Sequence, residues 1–290
     1  MNTIQFLGAL EIGLLYGLVA IGVYLTFRVV NFPDLTVDGS FPLGAATCAA
    51  LMTTGTHPLL ATLAAFLAGG LAGFVTGFLH VRWKILGLLA GILTMTALYS
   101  INLRVMGRPN IALLTEPTLF PNPHTVLPLL ALGVLILIVA LTLFLNSQFG
   151  LALRATGINS RACPAYGIQV GHMTLIGLSL SNALVALGGA LFAQIYGFAD
   201  ISMGTGTLII GLASVIVGES LLHSYKIWLI LLSCVLGSVL YRLVIALALN
   251  TQFIGLKASD LNLITAALVV CALLFPQVRK KIWVSLRGDS

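Results

Sequence analysis

The sequence predicts an all-α polytopic membrane protein. Hydrophobic residues make up 59% of the 290 residues and charged residues only 8%, and the mean hydropathy is +1.09. A soluble domain carries roughly 25% charged residues, so this chain has too few charges to cover a soluble surface. Its net charge of +6 comes from basic residues that flank the apolar segments, which indicates membrane topology rather than nucleic-acid binding.

Nine apolar segments are candidates for membrane helices. A helix needs about 20 apolar residues to cross a hydrocarbon core of about 30 Å. The second, seventh and ninth segments are short and adjoin polar breaks, which is typical of discontinuous helices. The segments are 4–27, 41–54, 59–79, 85–103, 125–145, 173–195, 206–222, 227–249 and 261–275.

The distribution of Lys and Arg orients these segments. Cytoplasmic connections of membrane proteins carry an excess of basic residues. If the long connection 146–172 is cytoplasmic, alternating crossings put most basic residues on that side, including Arg28, Lys84 and the basic tail 277–290. The C-terminus is then predicted to be cytoplasmic. The side of the N-terminus stays open, because the short segment 41–54 either crosses or is re-entrant.

Two stretches of the sequence match at a constant separation of 166 positions. Residues 18–22 (LVAIG) align with 184–188 (LVALG), and residues 32–37 (FPDLTV) align with 198–203 (FADISM). Five predicted crossings separate the two copies, and an odd number inverts the second copy in the membrane. A single transmembrane domain, 1–290, is therefore predicted to contain two inverted repeats, a common arrangement in transporters. The parts are repeat 1 (about 4–145), the connection 146–172, repeat 2 (about 173–276) and the tail 277–290.

The candidate pathway or gate residues lie in the two matching stretches or within three residues of them. Carboxylates inside a membrane segment are functional candidates by default, but an Asp also caps a following helix, and both interpretations stay open. Pro33 and Pro42 cannot extend a helix from the preceding turn, so the first stretch is predicted to break it. The candidates are Asn31, Asp34, Thr36, Asp38 and Ser40 in the first copy, and Asp200 and Ser202 in the second.

Two further polar features lie in apolar segments. Three polar residues share one helical face, and such a stripe either lines a cavity or bonds a neighbouring helix. Arg242 either extends to the outer interface or pairs with Asp200 or Asp260, because an unpaired charge inside the membrane costs several kcal/mol. The residues of the stripe are Thr96, Tyr99 and Ser100.

The connection 146–172 is predicted to hold two short helical pieces. A glycine ends each piece, and Asn159 or Ser160 caps the second. A short exposed helix on a membrane protein suits docking into the groove of a partner, and an ordinary solvated loop is the alternative. The pieces are 151–156, ended by Gly157, and 160–166, ended by Gly167.

The same connection carries a family signature. Residues 150–159 (GLALRATGIN), followed by Ala162 and 165–168 (AYGI), resemble the cytoplasmic coupling region of ABC importer permeases of the branched-chain amino acid and ribose type. Residues 31–46 (NFPDLTVDGSFPLGAA) resemble the tryptophan/tyrosine transport permeases of that superfamily. They differ from the Gly/His-containing, NFAHGE-like stretch of branched-chain amino acid permeases, which argues against a branched-chain substrate.

The resemblance implies the permease subunit of an ATP-driven importer in the bacterial cytoplasmic membrane. Two permease copies, expected to be identical, would sit on two ATP-binding subunits, and a periplasmic or lipid-anchored binding protein would deliver the solute. The expected solute is small, an amino acid, and within that class an aromatic one. ATP and Mg²⁺ would bind the partner, because this chain contains no G-x-x-x-x-G-K-[ST] motif. This chain is therefore not expected to be an enzyme or to hold a cofactor or metal.

The resemblance also implies roles for residues. The coupling region would transmit the nucleotide-driven closure of the ATP-binding subunits to the membrane helices. By the inverted repeat, Asp34 and Asp200 would lie at opposite membrane faces, near the inner and outer gates. The coupling candidates are Arg154, Ala155, Thr156, Gly157, Ile158, Asn159, Arg161, Ala165, Tyr166 and Gly167.

Two other functional classes compete with the importer. A stand-alone secondary transporter or channel for a small polar solute would depend on ion gradients rather than on ATP, so the energy source of uptake discriminates the two. A membrane enzyme would need a cluster of catalytic side chains. The five histidines are instead scattered, mostly beside segment ends: His57, His80, His124, His172 and His223.

Overall fold

The structure, a computed structural model, describes residues 3–120, 122–222, 224–250 and residue 270. These residues form nine α-helices and one two-stranded ribbon, which agrees with the predicted fold class. The predicted segment 261–275, the tail 277–290 and Asp260 lie outside the described residues. The helices are α1 (Thr3–Tyr24), α2 (Val37–Thr53), α3 (Pro58–Trp83), α4 (Gly87–Met106), α5 (Pro123–Asn146), α6 (Gln148–Ile158), α7 (Val170–Tyr196), α8 (Thr207–Leu221) and α9 (Ile227–Asn250).

Short elements join some of these helices. A π-helical turn, Leu25–Val30, continues α1, and two 3-10 turns, Cys163–Tyr166 and Ile201–Gly204, precede α7 and α8. Strand β1 (Asn110–Ala112) pairs antiparallel with β2 (Phe198–Asp200), so the end of α4 is tied to the end of α7.

Seven described helices are long and apolar enough to cross a membrane. They correspond to every predicted segment in the described residues except the second. Helix α2 has 17 residues and is shorter than the roughly 20 residues that a crossing needs. The spans are Gln5–Val30, Pro58–Trp83, Gly87–Met106, Thr125–Asn146, Val170–Tyr196, Ile201–Leu221 and Ile227–Ala248.

Helix α2 lies at the centre of the bundle. It packs against α3, α4 and α7, and most of its residues are buried. The α2 and α7 backbones touch: a Cβ on Gly44 would lie 1.9 Å from the Ala186 carbonyl oxygen, and a Cβ on Gly189 would lie 2.0 Å from that of Phe41. Glycines at such crossings allow close helix packing in membrane proteins, so α2 is enclosed by protein on several sides despite its short length.

Helix α7 separates two ends of the molecule. Its 27 residues span about 40 Å at 1.5 Å per residue. Helix α6 lies before the first residue of α7 in the chain, and strand β2 of the ribbon lies after its last residue. We call these the coupling end and the ribbon end; the coupling end corresponds to the predicted cytoplasmic side.

Two predicted helix boundaries are wrong. Pro42 lies inside α2, which begins four residues before the predicted segment. The helix tolerates Pro42 near its start, where the missing N–H removes only one hydrogen bond. Gly157 does not end the first helical piece, because α6 continues to Ile158. The second piece is the 3-10 turn Cys163–Tyr166, and Gly167 ends it with a φ of +74°, as predicted.

Candidate translocation and coupling sites

Asp34 is part of a buried hydrogen-bond network at the start of α2. Its side chain is fully buried. Its Oδ1 accepts from the Thr36 N–H at 2.8 Å, and its Oδ2 accepts from Asn182 Nδ2 at 2.7 Å. Ser40 Oγ donates to Asn182 Oδ1 at 2.7 Å, and Thr36 Oγ1 lies 2.7 Å from Thr76 Oγ1. The network therefore ties the start of α2 to α7 and α3.

The chain reaches Asp34 through the π-helical turn. The N–H groups of Asn31 and Phe32 both donate to the Thr26 carbonyl oxygen. Asn31 has a φ of +57°, a left-handed conformation in which Asn is enriched. The Phe32 ring packs edge-on against His80, with ring centres 5.0 Å apart. Asn31 therefore shapes the turn, and its own side chain is exposed.

The second stretch forms the same turn at the ribbon end. Asp200 Oδ1 accepts from the Ser202 N–H at 2.8 Å, and its Oδ2 accepts from Asn110 Nδ2 at 3.1 Å. Hydrogen bonds from Ser202, with a smaller contribution from Asn110, hold the pKa of Asp200 below its ordinary value. Asp200 thus caps the 3-10 turn Ile201–Gly204, so the capping interpretation holds for this residue.

Asp38 connects the two stretches. Its Oδ1 accepts from the Leu208 N–H at 2.7 Å and its Oδ2 from the Gly206 N–H at 3.4 Å. An Asp at the start of α2 therefore caps the N-terminus of α8, far away in the chain. A Cβ on Gly204 would lie 2.0 Å from the Asp38 carbonyl oxygen, whose usual helical donor is missing because Pro42 has no N–H. The starts of α2 and α8 are thus in direct contact inside the bundle.

The polar stripe of α4 lies apart from this network. Thr96, Tyr99 and Ser100 are exposed on the outer face of the helix, and Thr96 Oγ1 donates to the Leu93 carbonyl of its own helix at 2.9 Å. Asn102 instead is fully buried and donates to the Gly39 carbonyl at 3.2 Å. Its Oδ1 has no partner among the described residues. Asn102 is therefore the polar residue of α4 that reaches α2.

The coupling candidates form one short unit at the coupling end. Arg154, Ala155, Thr156, Gly157 and Ile158 lie on α6, whose first turn is capped by Ser147. Asn159 Oδ1 accepts from the Arg161 and Ala162 N–H groups, both at 3.2 Å, and directs the chain into the 3-10 turn. Ala165 and Tyr166 are in that turn and Gly167 ends it. The Ile158 and Tyr166 side chains are 86% and 82% exposed, respectively.

The inner face of α6 packs on the π-helical turn. A Cβ on Gly157 would lie 1.9 Å from the Val29 carbonyl oxygen, so a larger residue would push the two elements apart. In the same turn, Arg28 forms an ion pair with Glu219 on α8. The Nε of Arg154 is buried without a partner among the described residues. The contacts connect α6 through the π-helical turn to α8.

The structure contradicts one proposed ion pair. Asp200 bonds with Asn110 and Ser202, so its pairing with Arg242 is wrong. The Arg242 guanidinium carbon instead lies 4.2 Å from the centre of the Tyr16 ring. The alternative partner, Asp260, lies outside the described residues.

Asn182 is the main site residue that sequence reasoning missed. It bonds both Asp34 and Ser40, and it lies two residues before the LVALG match, where a lone amide in an apolar helix was the available signal. No group of three His, Cys, Asp or Glu in the described part of the chain could hold a metal ion.

The chain matches known proteins along most of its length. The family described as "Branched-chain amino acid transport system / permease component" matches residues 5–275. A tyrosine transport system permease protein of Clostridioides difficile (strain R20291) is 41% identical over 260 residues, covering 90% of this chain and 87% of that protein. An uncharacterized protein of Rickettsia prowazekii (strain Madrid E) is 35% identical over 272 residues, covering 91% and 95%. An autoinducer 2 import system permease protein of Yersinia pseudotuberculosis is 26% identical over 208 residues, covering 69% and 58%.

Proposed function

Because this chain belongs to the permease family of branched-chain amino acid transport systems, we propose that it is the membrane subunit of an ATP-driven amino acid importer. The family consists of transporters rather than enzymes. A relative named as a tyrosine permease, 41% identical over most of the chain, supports an aromatic amino acid as the substrate. The match of residues 31–46 to the tryptophan/tyrosine permeases supports the same class.

The observation that carries this proposal is the two-sided packing of α6. Its outer side presents the exposed apolar side chains of Ile158 and Leu151, together with Tyr166 of the next turn. Its inner side has no room for a Cβ at Gly157. Exposed apolar patches outside a lipid-facing surface mark protein interfaces. An ATP-binding subunit that docks on the outer side would push α6 directly against the π-helical turn.

The remaining parts of the importer are inferred with it. Two identical permease copies would sit on two ATP-binding subunits that hold ATP and Mg²⁺, in a bacterial cytoplasmic membrane with the C-terminus in the cytoplasm. A periplasmic or lipid-anchored binding protein would deliver the amino acid. The matching turns at Asp34 and Asp200, each followed by a short helix, support two inverted repeats.

The docking site is tested by a pair of surface variants. Tagged full-length chain is purified from its native membrane as wild type, Ile158→Asp and Leu114→Asp. Leu114 is the matched control, because it is 84% exposed and follows β1 at the ribbon end. We expect the ATP-binding subunit to co-purify with wild type and Leu114→Asp but not with Ile158→Asp. Retention by Ile158→Asp would contradict docking on α6.

A stand-alone transporter is the second candidate. It is favoured if no ATP-binding subunit co-purifies with wild type and if uptake into energised vesicles follows an ion gradient instead of ATP.

The gate roles of Asp34 and Asp200 are proposed as part of the same transport cycle. They are tested by ATP-dependent uptake in the Asp34→Asn and Asp200→Asn variants. Normal uptake by both variants would remove the gate assignment and leave both residues as caps.

A further inference from the structure

An arginine in the apolar helix α9 has its charge only partly compensated. The Arg242 guanidinium lies over the Tyr16 ring, 4.2 Å from its centre, which is a favourable cation–π contact. A guanidinium has five N–H donors, yet the described residues offer Arg242 no carboxylate or other hydrogen-bond acceptor. Its Nε is buried and unpaired among them. Among the described residues, the Arg242 guanidinium therefore has donor capacity left for an anionic group.

A line of aromatic rings leads from the surface of the ribbon end to this arginine. Phe198 is 38% exposed, and its ring centre lies 6.1 Å from that of Phe192. The Phe192 ring lies 4.5 Å from Tyr196 and 5.9 Å from the fully buried Phe41. Phe41 in turn stacks on Tyr16 at 5.6 Å. Neighbouring rings at these distances attract one another, so the line of rings presents an aromatic surface beside Arg242.

A carboxylate completes this set of groups. Glu11 lies five residues before Tyr16 on α1, and its side chain is half-buried. Helix α1 packs against both α7 and α9, and Glu11 lies about 7.5 Å along α1 from Tyr16, towards the ribbon end. Glu11 has no ion-pair partner among the described residues. One acidic group, one basic group and several rings are thus gathered where α1, α7 and α9 approach the ribbon end.

We propose that the Arg242 cluster, defined as Glu11, Tyr16, Phe192, Tyr196 and Arg242, is a binding site for a zwitterionic amino acid with an aromatic side chain. The Arg242 fork would bind the carboxylate, Glu11 the ammonium group, and the rings the aromatic side chain. A zwitterion pairs both membrane-embedded charges at once, whereas a sugar, a simple cation or a simple anion leaves at least one unpaired.

The position of the cluster fits an early step of import. Its two members on α7, Phe192 and Tyr196, lie about 33 and 39 Å from the first residue of that helix at 1.5 Å per residue, towards the ribbon end. A solute arriving from the side opposite to the ATP-binding subunits would meet this cluster first. This inference rests on the proposed function, since it assigns the substrate site of that same importer.

The site is tested by binding of tritiated L-tyrosine to the purified full-length chain. Competitors are unlabelled L-tyrosine, tyramine, which lacks the carboxylate, and 3-(4-hydroxyphenyl)propionate, which lacks the ammonium group. We expect both analogues to compete at least about tenfold more weakly than L-tyrosine, as for loss of one charge-assisted hydrogen bond. Equal competition by all three compounds would overturn the proposal.

Variants assign each charge to its partner. Arg242→Gln is expected to abolish the preference for tyrosine over tyramine, and Arg242→Lys to restore part of it. Glu11→Gln is expected to abolish only the preference over the hydroxyphenylpropionate. Arg104→Gln, an exposed arginine of α4, is the control and should retain both preferences. Both preferences surviving in Arg242→Gln would overturn the site.

Two further measurements keep the outcomes distinct. If Asp260→Asn and Arg242→Gln lower the unfolding temperature equally and leave tyrosine binding unchanged, Arg242 belongs to a structural ion pair and the proposal is overturned. ATP-dependent uptake by the wild-type complex tests the proposed function separately. Uptake of tyrosine without cluster-dependent binding to the purified chain would overturn this inference alone, whereas absence of any ATP-driven amino acid uptake would overturn the proposed function.

Discussion

The turns at Asp34 and Asp200 share their local geometry and differ in their surroundings. In each, the carboxylate accepts a 2.8 Å hydrogen bond from the backbone N–H two residues later. Around Asp34 the remaining acceptor capacity goes to Asn182 inside the bundle, and no part of the side chain reaches solvent. The second carboxylate oxygen of Asp200 instead accepts from Asn110 on a surface ribbon. The D-x-[TS] pattern thus specifies the turn. The packing of other helices determines how much the turn contributes to the free energy of unfolding.

The largest expected difference between the two turns is in their effect on stability. Asp34→Ala leaves the Thr36 N–H and one N–H of the Asn182 amide without their acceptor, at about 1–3 kcal/mol each, while the Asn182 nitrogen still donates to the Leu178 carbonyl oxygen. Removing a carboxyl that is costly to bury offsets part of this, so a net loss of about 2–4 kcal/mol is expected. Asp200→Ala removes only a surface cap, which costs about 1 kcal/mol or less. Unfolding temperatures of the purified chain in detergent measure both, and equal losses would show that burial does not distinguish the turns.

A double-mutant cycle measures the bond that only the first turn makes to another membrane helix. Because the Asp34 and Asn182 side chains share one hydrogen bond in the buried network, combining Asp34→Ala with Asn182→Ala should cost about 1–2 kcal/mol less than the sum of the single variants. The matched cycle, Asp200→Ala with Asn110→Ala, should be additive within about 0.5 kcal/mol. Additivity in both cycles would mean that Asn182 acts independently of Asp34.

Local patterns in the sequence predicted local structure well. The seven spanning helices follow from apolar length, and the end of the 3-10 turn follows from Gly167. Capping by Asp200 was one of the two interpretations that the sequence left open. These features depend on residues that are neighbours in the chain. The exposure of the Thr96 stripe and the partner of Arg242 depend on how helices rotate and pack, which the periodicity of one helix does not determine.

Contacts between distant parts of the chain were the features that sequence could not supply. Asn182 follows Asp34 by more than a hundred residues, and the α2–α7 crossing that joins them depends on the absence of side chains at Gly44 and Gly189. Gly157 also makes a contact with a distant part of the chain that the sequence does not reveal. Its sequence context is typical of a helix end, but α6 continues to Ile158, and the missing Cβ allows the close approach to the Val29 carbonyl oxygen. The capping of α8 by Asp38 likewise required the two short helices to meet.

Asp38 provides a third, smaller test, because it joins the two turns rather than belonging to one. Asp38→Ala removes the cap from the Leu208 and Gly206 N–H groups and should cost about 1 kcal/mol. Asp38→Asn retains an acceptor oxygen and should lose only a few tenths. Hydrogen exchange of the first turn of α8 measures the effect locally. Unchanged protection of that turn in Asp38→Ala would contradict a cap made between the starts of α2 and α8.

The smallest expected effect is the pH dependence of the ribbon end. The Ser202 and Asn110 hydrogen bonds lower the pKa of Asp200 in the folded chain. A carboxyl whose folded pKa is depressed contributes stability above its unfolded pKa of about 3.9, and this contribution is lost as pH falls through the lower folded value. Protection of the 201–204 turn from hydrogen exchange, corrected for intrinsic rates, should therefore decline below about pH 4. Because a side-chain amide does not titrate in this range, Asp200→Asn should remove this decline. An equal decline in the variant would assign the titration to another group, and the surface turn would then have no pH response of its own.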